Sequence, residues 1–323
     1  MKEKILKCLR ETEDYVSGQE LCRMLDVSRT AIWKVMNQLK DEGYVIDAVK
    51  NKGYKLIQTP DIVTAEEVDS LLETEWAGHP VVYEEEQEST NQTAKMLAEQ
   101  GAFHGTLVVA ERQVSGRGRR GRPWHSPKGS GIWMSILLRP QIHPMSASML
   151  TLVAAMAVYD AISSRVEGCA IKWPNDIVIN GRKVCGILTE GISDFETGQI
   201  EHLILGIGIN TTVKDFPAEL LATAGAAEGT YSKSALAAET ITQALGYIED
   251  LDSASFLPAY KEKSLVIGKT VTVYQGRYKV NPEDEITGVP ARVLDIADDG
   301  GLIVLYADGH QEKLVSGEIS IRI

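Results

Sequence analysis

Paired cysteine motifs are missing from this sequence. Its four cysteines, Cys8, Cys22, Cys169 and Cys185, are scattered over 323 residues and form no CxxC pair. That spacing argues against a zinc site or a disulfide framework, and a reducing, cytoplasmic setting is expected. Long apolar runs are missing too. Residues 1–14 carry charges throughout, unlike a signal peptide. The uncharged run Pro144 to Tyr159 is too short for a bilayer and contains Ser146, Ser148 and Thr151, so it reads as a buried helix with no membrane role. No internal repeat or low-complexity tract is visible. Positive charge is scarce overall, the formal net charge being −12, but its distribution is uneven. Residues 1–58 hold 11 Lys+Arg against 9 Asp+Glu, a balance of +2, and the other 265 residues carry −14. Two kinds of partner are implied.

The positive segment begins with a helix-turn-helix pattern. Ser17-Gly18-Gln19-Glu20 is a capping box opening a short helix to Leu25. After Asp26 and Val27, Ser28 caps a second helix in which Ile32, Val35, Met36 and Leu39 form one apolar face, and Gly43 stops it. The second helix of such a unit enters the major groove. Ser28, Arg29, Thr30, Trp33, Lys34 and Asn37 lie off the apolar face as candidate DNA contacts. Tyr44 to Val49 and Gly53 to Ile57 read as strands of a wing around Lys50-Asn51-Lys52, with Lys50, Lys52 and Lys55 available for phosphates. One unit reads a short half-site, so a homodimer on a two-part operator is expected. Gln58 to Asp61 interrupts the pattern as a linker, which gives a winged helix-turn-helix over 1–60.

Residues 115–126 read SGRGRRGRPWHS, where Arg117, Arg119, Arg120 and Arg122 alternate with Gly116, Gly118 and Gly121. Glycine lets the backbone approach a ligand, and each guanidinium presents forked donors to phosphate or carboxylate. An anion is called for. The stretch formally satisfies GxGxxG and follows a candidate strand, Thr106 to Ala110. A dinucleotide turn, however, needs a helix at once and an acidic residue about 20 positions on. Pro123 and Pro127 break any helix, and Gly131 to Leu138 reads as another strand.

From 61 to 267, short β-type runs mix with helical patterns near Asn91 to Gln100, Ser146 to Val166 and Ser234 to Asp250, as in an α+β domain with a mostly antiparallel sheet. Ser89-Thr90-Asn91 opens a helix and is, taken alone, equally an N-cap. Lys172-Trp173-Pro174-Asn175-Asp176 sets a lysine, an amide and a carboxylate just before a strand. Asn180-Gly181 is a hairpin turn that projects Lys183 beside the strand bearing Asp176, though a solvated hairpin lysine is the commoner fate. In Gly206-Ile207-Gly208-Ile209-Asn210, two glycines leave one strand face bare, either for a flat ligand or for a barrel-like bend.

In this order, STN, Gln113 with GRGRRGRPW, KWPND, NGRKVCGILTE and GIGIN resemble the biotin protein ligases. With the winged helix in front, the whole chain is similar to the bacterial proteins that combine biotin ligase and biotin operon repressor. The resemblance implies a central fold like the class II synthetases. It also implies an activity: biotin reacts with ATP to give biotinyl-AMP, and the biotinyl group passes to a lysine of a carboxyl carrier domain, as in acetyl-CoA carboxylase and other biotin-dependent carboxylases. Carried over by motif, Ser89, Thr90, Asn91 and Gln113 would hold the ureido head of biotin, with Arg117, Gly118 and Arg119 closing over it. Lys183 would meet the α-phosphate and the biotin carboxylate, and Arg117 and Asp176 complete the catalytic set. Asp176 either helps hold Mg²⁺ or aligns the incoming lysine. Arg119, Arg122, Trp124, Lys172, Asn175, Asn210 and Phe216 are the nucleotide candidates, with Val213 to Leu221, including Leu220, over the purine. Pro123 and His125 depart from the family pattern and imply a stiffer loop exit.

Gly268 to Ile323 alternates apolar and polar residues between turns and resembles the SH3-like small barrel of these ligases, with Arg322 a candidate nucleotide contact. The competing reading is a repressor that senses biotin without ligase activity, and a lipoate ligase is a weaker rival. Four clustered like charges should keep residues 116–122 mobile before ligand arrives. Amide exchange there is expected to slow when biotinyl-AMP is added, and identical exchange with and without it would refute the idea.

Overall fold

The computed structural model describes residues 1–72, 80–139, 147–193, 199–275, 288–315 and 319–322. Helix α1 (Lys2–Glu11), α2 (Gly18–Leu25) and α3 (Arg29–Asp41) pack with the hairpin β1 (Val45–Val49) and β2 (Gly53–Gln58) around their own core of Ile5, Leu6, Leu21, Ile32, Met36 and Leu39. The caps are the expected ones. Ser17 Oγ accepts from Glu20 N at 3.1 Å and Ser28 Oγ from Ala31 N at 3.2 Å. Helix α1 carries no such local signal, and its place was not anticipated.

Helix α4 (Ala65–Leu71) leads into β3 (Val81–Gln87), α5 (Thr90–Glu99), β4 (Leu107–Gln113), β5 (Gly131–Leu138) and α6 (Ala147–Ser163). There follow β6 (Cys169–Lys172), β7 (Asp176–Ile179), β8 (Arg182–Ser193), β9 (Ile200–Asn210), α7 (Lys233–Glu249) and α8 (Leu257–Lys263). The strands form a seven-stranded sheet in the order β3-β4-β5-β9-β8-β7-β6, antiparallel except for the parallel β3–β4 pair. Helix α5 covers part of one face through Ala94 and Ala98, against Val108, Leu137 and Ile204. Helices α6 and α7 cover the other, so β5 is buried along its whole length. Strands β10 (Thr270–Gln275), β11 (Val289–Ile296), β12 (Leu302–Tyr306), β13 (Gln311–Leu314) and β14 (Ile319–Arg322) make a five-stranded antiparallel sheet whose apolar face joins the same core. It is keyed in by Trp173, which donates its buried Nε1–H to Gly300 O at 3.0 Å. Among the described residues no helix is long and apolar enough to cross a membrane.

The linker is not a loose tether. Glu67 of α4 is fully buried and takes both oxygens to Arg10 of α1, 2.7 Å each, while Tyr44 OH donates to it at 2.5 Å. Burial, with the neighbouring carboxylate, pushes the Tyr44 hydroxyl far above its ordinary value, so it stays a donor at any physiological pH. Asp61 pairs with Lys233 at 3.1 Å at the start of α7. Lys52 of the wing, expected to be available for phosphate, is held by Asp14 at 3.3 Å and lies 4.1 Å above the Tyr15 ring. The reason is that the loop between α1 and α2 packs beside the wing through the Val16–Tyr54 bridge.

Glu67→Gln removes the buried anion and leaves the Arg10 charge without its partner. Urea unfolding followed by fluorescence should show a loss of about 3 kcal/mol, the low end for breaking a buried pair, since Arg10 keeps some solvent.

Candidate active site

Strand alternation lays the floor of the site. On β9, Ile207 and Ile209 point into the core and Gly206, Gly208 and Asn210 take the opposite face, while the register sets Gly186 against Gly208 and Leu188 against Gly206. The sequence led us to expect a bare face here, but two side chains fill it. A Cβ on Gly206 would fall 2.1 Å from Asn91 Oδ1, one on Gly208 2.5 Å from Trp124 Nε1, and one on Gly186 3.0 Å from the Trp124 ring. The glycines exist here for close approach, not for a bend.

Asn91 is locked from both ends. Its Oδ1 accepts from Ser135 Oγ at 2.6 Å, and its Nδ2 donates to Glu190 at 2.7 Å. Ser135 Oγ also lies 2.7 Å from Thr90 Oγ1, within reach of the same hydroxyl proton. At the start of α5, Ser89 occupies the N-cap position, yet its hydroxyl makes no capping bond. Gln113 does that work instead: its Oε1 accepts from Thr90 N at 2.8 Å and from Thr90 Oγ1 at 3.1 Å. Gln113 Nε2 in turn donates to Ser126 Oγ at 3.0 Å, which fixes which way round the amide lies.

The arginine segment folds back as a hairpin. Trp124 N donates to Gly116 O at 2.8 Å and Gly118 N to Arg122 O at 2.7 Å, across a tip in which Arg120 is left-handed at φ +60°. The prolines do preclude a regular helix, and only a single 3₁₀ turn forms at Arg119–Gly121. Arg119 turns inward and donates to Asn175 Oδ1 at 3.0 Å, and Asn175 Nδ2 donates to Ile187 O at 2.9 Å. Burial pulls the Arg119 guanidinium below its ordinary value, opposed by the charge of Asp176. The exit residue His125 lies 3.1 Å from Asp215 O and meets Phe216 edge-on at 5.1 Å, tying the hairpin to the segment after β9.

The Asn180-Gly181 turn has both residues at positive φ, as its sequence demands, and brings Lys183 Nζ to 2.6 Å from Asp176 Oδ1. This is a charge contact without hydrogen-bond alignment, which leaves that buried oxygen without a directed donor. Lys183 also lies 5.2 Å above the Trp124 ring. Its backbone is braced by the segment after β9, through Lys183 N to Thr223 O at 2.9 Å and Gly225 N to Lys183 O at 2.8 Å.

One cavity of about 940 Å³ gathers these groups. Ser89, Thr90, Asn91, Gln113, Arg117, Gly118, Arg119, Arg122, Trp124, Lys172, Asn175, Asp176, Lys183, Asn210, Phe216 and Leu220 all line it. Two buried polar atoms of its lining residues, Trp124 Nε1 and Asn210 Oδ1, have no protein partner. Orphaned groups of this kind are costly unless something else satisfies them. Arg120 of the arginine segment lines the cavity too, and Gly186, Leu265 and Lys269 also line it and were not foreseen. Leu265 and Lys269 arrive from the far end of the chain and have no local signal. Gly186 could have been found from its register with Gly208. The Arg322 side chain lies outside the described residues. The DNA candidates stand apart: Ser28, Arg29, Thr30, Trp33 and Lys34 are exposed on or beside α3, Asn37 is half-buried, and Lys50 and Lys52 are exposed on the wing.

A DNA-reading head on a sheet whose glycine-lined face holds an arginine hairpin defines a class: acyl-adenylating ligases with a helix-turn-helix domain. Residues 2–55 match an HTH domain, residues 83–210 the Biotin/lipoate A/B protein ligase family, and residues 279–322 the biotin protein ligase C terminal domain. The chain is 30% identical to the bifunctional ligase/repressor BirA of Salmonella typhimurium over 319 residues, covering 96% of this chain and 94% of that one. It is 45% identical over 210 residues to its namesake from Bacillus subtilis, a match spanning 64% of either chain. A biotin protein ligase from Aquifex aeolicus in complex with biotin and ATP superposes with a TM-score of 0.61 at 26% identity, covering 75% of this chain and 98% of that one. The chain belongs to the bifunctional ligase/repressor family of biotin protein ligases.

Gly206→Ala should push Asn91 off Ser135 and destabilise the fold by about 1–3 kcal/mol, the usual cost of overpacking. A melting temperature equal to that of the parent would show that the sheet face tolerates a methyl group there.

Proposed function

We propose that this chain joins biotin to ATP, forming biotinyl-AMP and pyrophosphate, and then transfers the biotinyl group to a lysine of a carboxyl carrier domain. As a homodimer loaded with biotinyl-AMP, it represses biotin operon transcription through its winged helices. The observation that carries the reading is the single cavity in which the Ser89–Asn91 and Gln113 cluster adjoins Lys183, Asp176 and Arg119. A ureido group needs both donors and acceptors, and Thr90, Asn91 and Gln113 supply them on side chains already oriented by Ser135, Glu190 and Ser126.

In the first step, a biotin carboxylate oxygen attacks the α-phosphorus. Negative charge grows on the phosphoryl oxygens, where Lys183 and the inward-facing Arg119 are fixed before the reaction begins. The hairpin excludes water from the mixed anhydride. In the second step, the neutral amine of the carrier lysine attacks the acyl carbon, AMP departs with the electron pair of the broken acyl C–O bond, the amine's extra proton passes to solvent, and Asp176 Oδ1, which has no directed donor, is suited to align the amine N–H. Trp124 Nε1 and Asn210 Oδ1 offer one donor and one acceptor to the adenosine part. Among the described residues no three His, Cys, Asp or Glu side chains cluster as a metal site. Asp176 alone fits Mg²⁺ in the usual manner, sharing the ion with nucleotide phosphates to neutralise their charge.

Lys183→Ala should slow biotinyl-AMP formation by at least about 100-fold, followed by mass spectrometry of the protein with biotin and ATP. Operator binding that depends on biotin and ATP should weaken in the same variant, and full repression would break the proposed link. Arg29→Ala with Lys34→Ala should do the opposite: ligation stays intact, and the salt slope of operator affinity falls by about one unit for each phosphate that no longer meets a cation.

A further inference from the structure

Helix α3 leaves its largest apolar side chain in solvent. Ile32, Val35, Met36 and Leu39 turn into the core of the head, while Trp33, which lies off that stripe, is 61% exposed. Trp133 and Trp173, by contrast, are buried, as the size of the indole favours. The junction with the ligase is made elsewhere on the head, by Arg10 and Tyr44, and does not cover Trp33. Thr30, one turn earlier on the same face, is exposed as well, and so are the flanking cations Arg29 and Lys34. Those cations select the occupant. A second copy of this face would set like charges against like, whereas a nucleic acid brings phosphates to meet them.

Trp33 is the fifth residue of α3, within the N-terminal part of a recognition helix that meets base edges. What an indole can read there follows from its chemistry: one N–H donor, no acceptor and two apolar faces. In the major groove guanine offers acceptors alone, cytosine a donor, and adenine an acceptor beside a donor. Thymine sets an apolar methyl group beside an acceptor, O4, and so matches both properties of the indole. We propose that Trp33 is a specificity-determining residue that reads a thymine in each operator half-site by packing on its C5-methyl group, a proposal that rests on the repressor reading above. Arg29 and Lys34 supply affinity through phosphates, which carry no sequence information. Trp33 supplies a choice of base.

Replacing thymidine by deoxyuridine tests this, since it deletes the methyl group and keeps the base pair. Duplexes are first enriched from a random-sequence pool by the full chain with biotin and ATP, and the thymidines of one half-site are then replaced in turn. At one position the parent should bind about fourfold more weakly, the scale of one buried methyl group. Trp33→Ala should be indifferent to the same replacement, and Trp33→Phe, which keeps an apolar ring, should retain part of the loss. Each comparison is made within one variant, so a partly unfolded head lowers both affinities and leaves their ratio intact. Deoxyuridine tolerated by the parent at every position, or an equal loss in the parent and Trp33→Ala, overturns the assignment to Trp33 and leaves the repressor reading standing. A chain that enriches no duplex overturns the repressor reading, and the thymine assignment with it.

Discussion

Everything in the site depends on side chains being absent from three places on one sheet face. Gly186, Gly206 and Gly208 form a patch onto which Asn91 and Trp124 lie down, while the isoleucines between them hold the strands to the core. The alternation of glycine and isoleucine thus does two things at once. Isoleucine supplies the burial that stabilises the sheet, and glycine permits the approach that shapes the cavity. A methyl group at any of the three would press on Asn91 or Trp124. Asn91 cannot move without losing Ser135 and Glu190, and Trp124 cannot move without disturbing the hairpin it closes.

Four arginines in six residues would be unstable as a compact cluster, and the fold meets this by sending them in different directions. Arg119 goes inward to Asn175, Arg120 turns at a left-handed residue, and Arg117 and Arg122 sit on the hairpin arms, exposed at the cavity rim. The base of the hairpin is pinned by a short relay from Thr90 through Gln113 to Ser126, whose hydroxyl donates to Trp124 O at 3.0 Å. The start of α5 and the position of the hairpin therefore share one glutamine.

What could be read in the sequence was whatever is encoded locally. The serine caps at Ser17 and Ser28, the Asn180-Gly181 turn and the glycine alternation on β9 are set by neighbours within a few residues, and each lies where its pattern places it. The grouping of STN, GRGRRGR and KWPND into one site came from resemblance, because no local rule says which loops meet. The parallel β3–β4 pair, the Ser135 and Glu190 supports of Asn91, and the entry of Leu265 and Lys269 depend on partners far along the chain. Lys52 shows the converse. Its sequence context on the wing gave no sign of Asp14 and Tyr15, which tertiary packing sets beside it.

The junction between the DNA-reading head and the ligase is made of the same kind of shared group. Lys233 Nζ pairs with Asp61 in the linker and also donates to Gly129 O at 2.9 Å, just beyond the exit of the arginine hairpin. A few residues on, the fully buried Glu67 takes Arg10 and Tyr44 from the winged helix as partners. A rearrangement that shifts the hairpin exit must stretch the bond to Lys233, and one that tilts the winged helix must expose Glu67. Exposed tethers would let the two halves move independently. The winged helix and the exit of the arginine hairpin thus each rest on a contact from one short stretch of chain, through Glu67 and through Asp61 with Lys233.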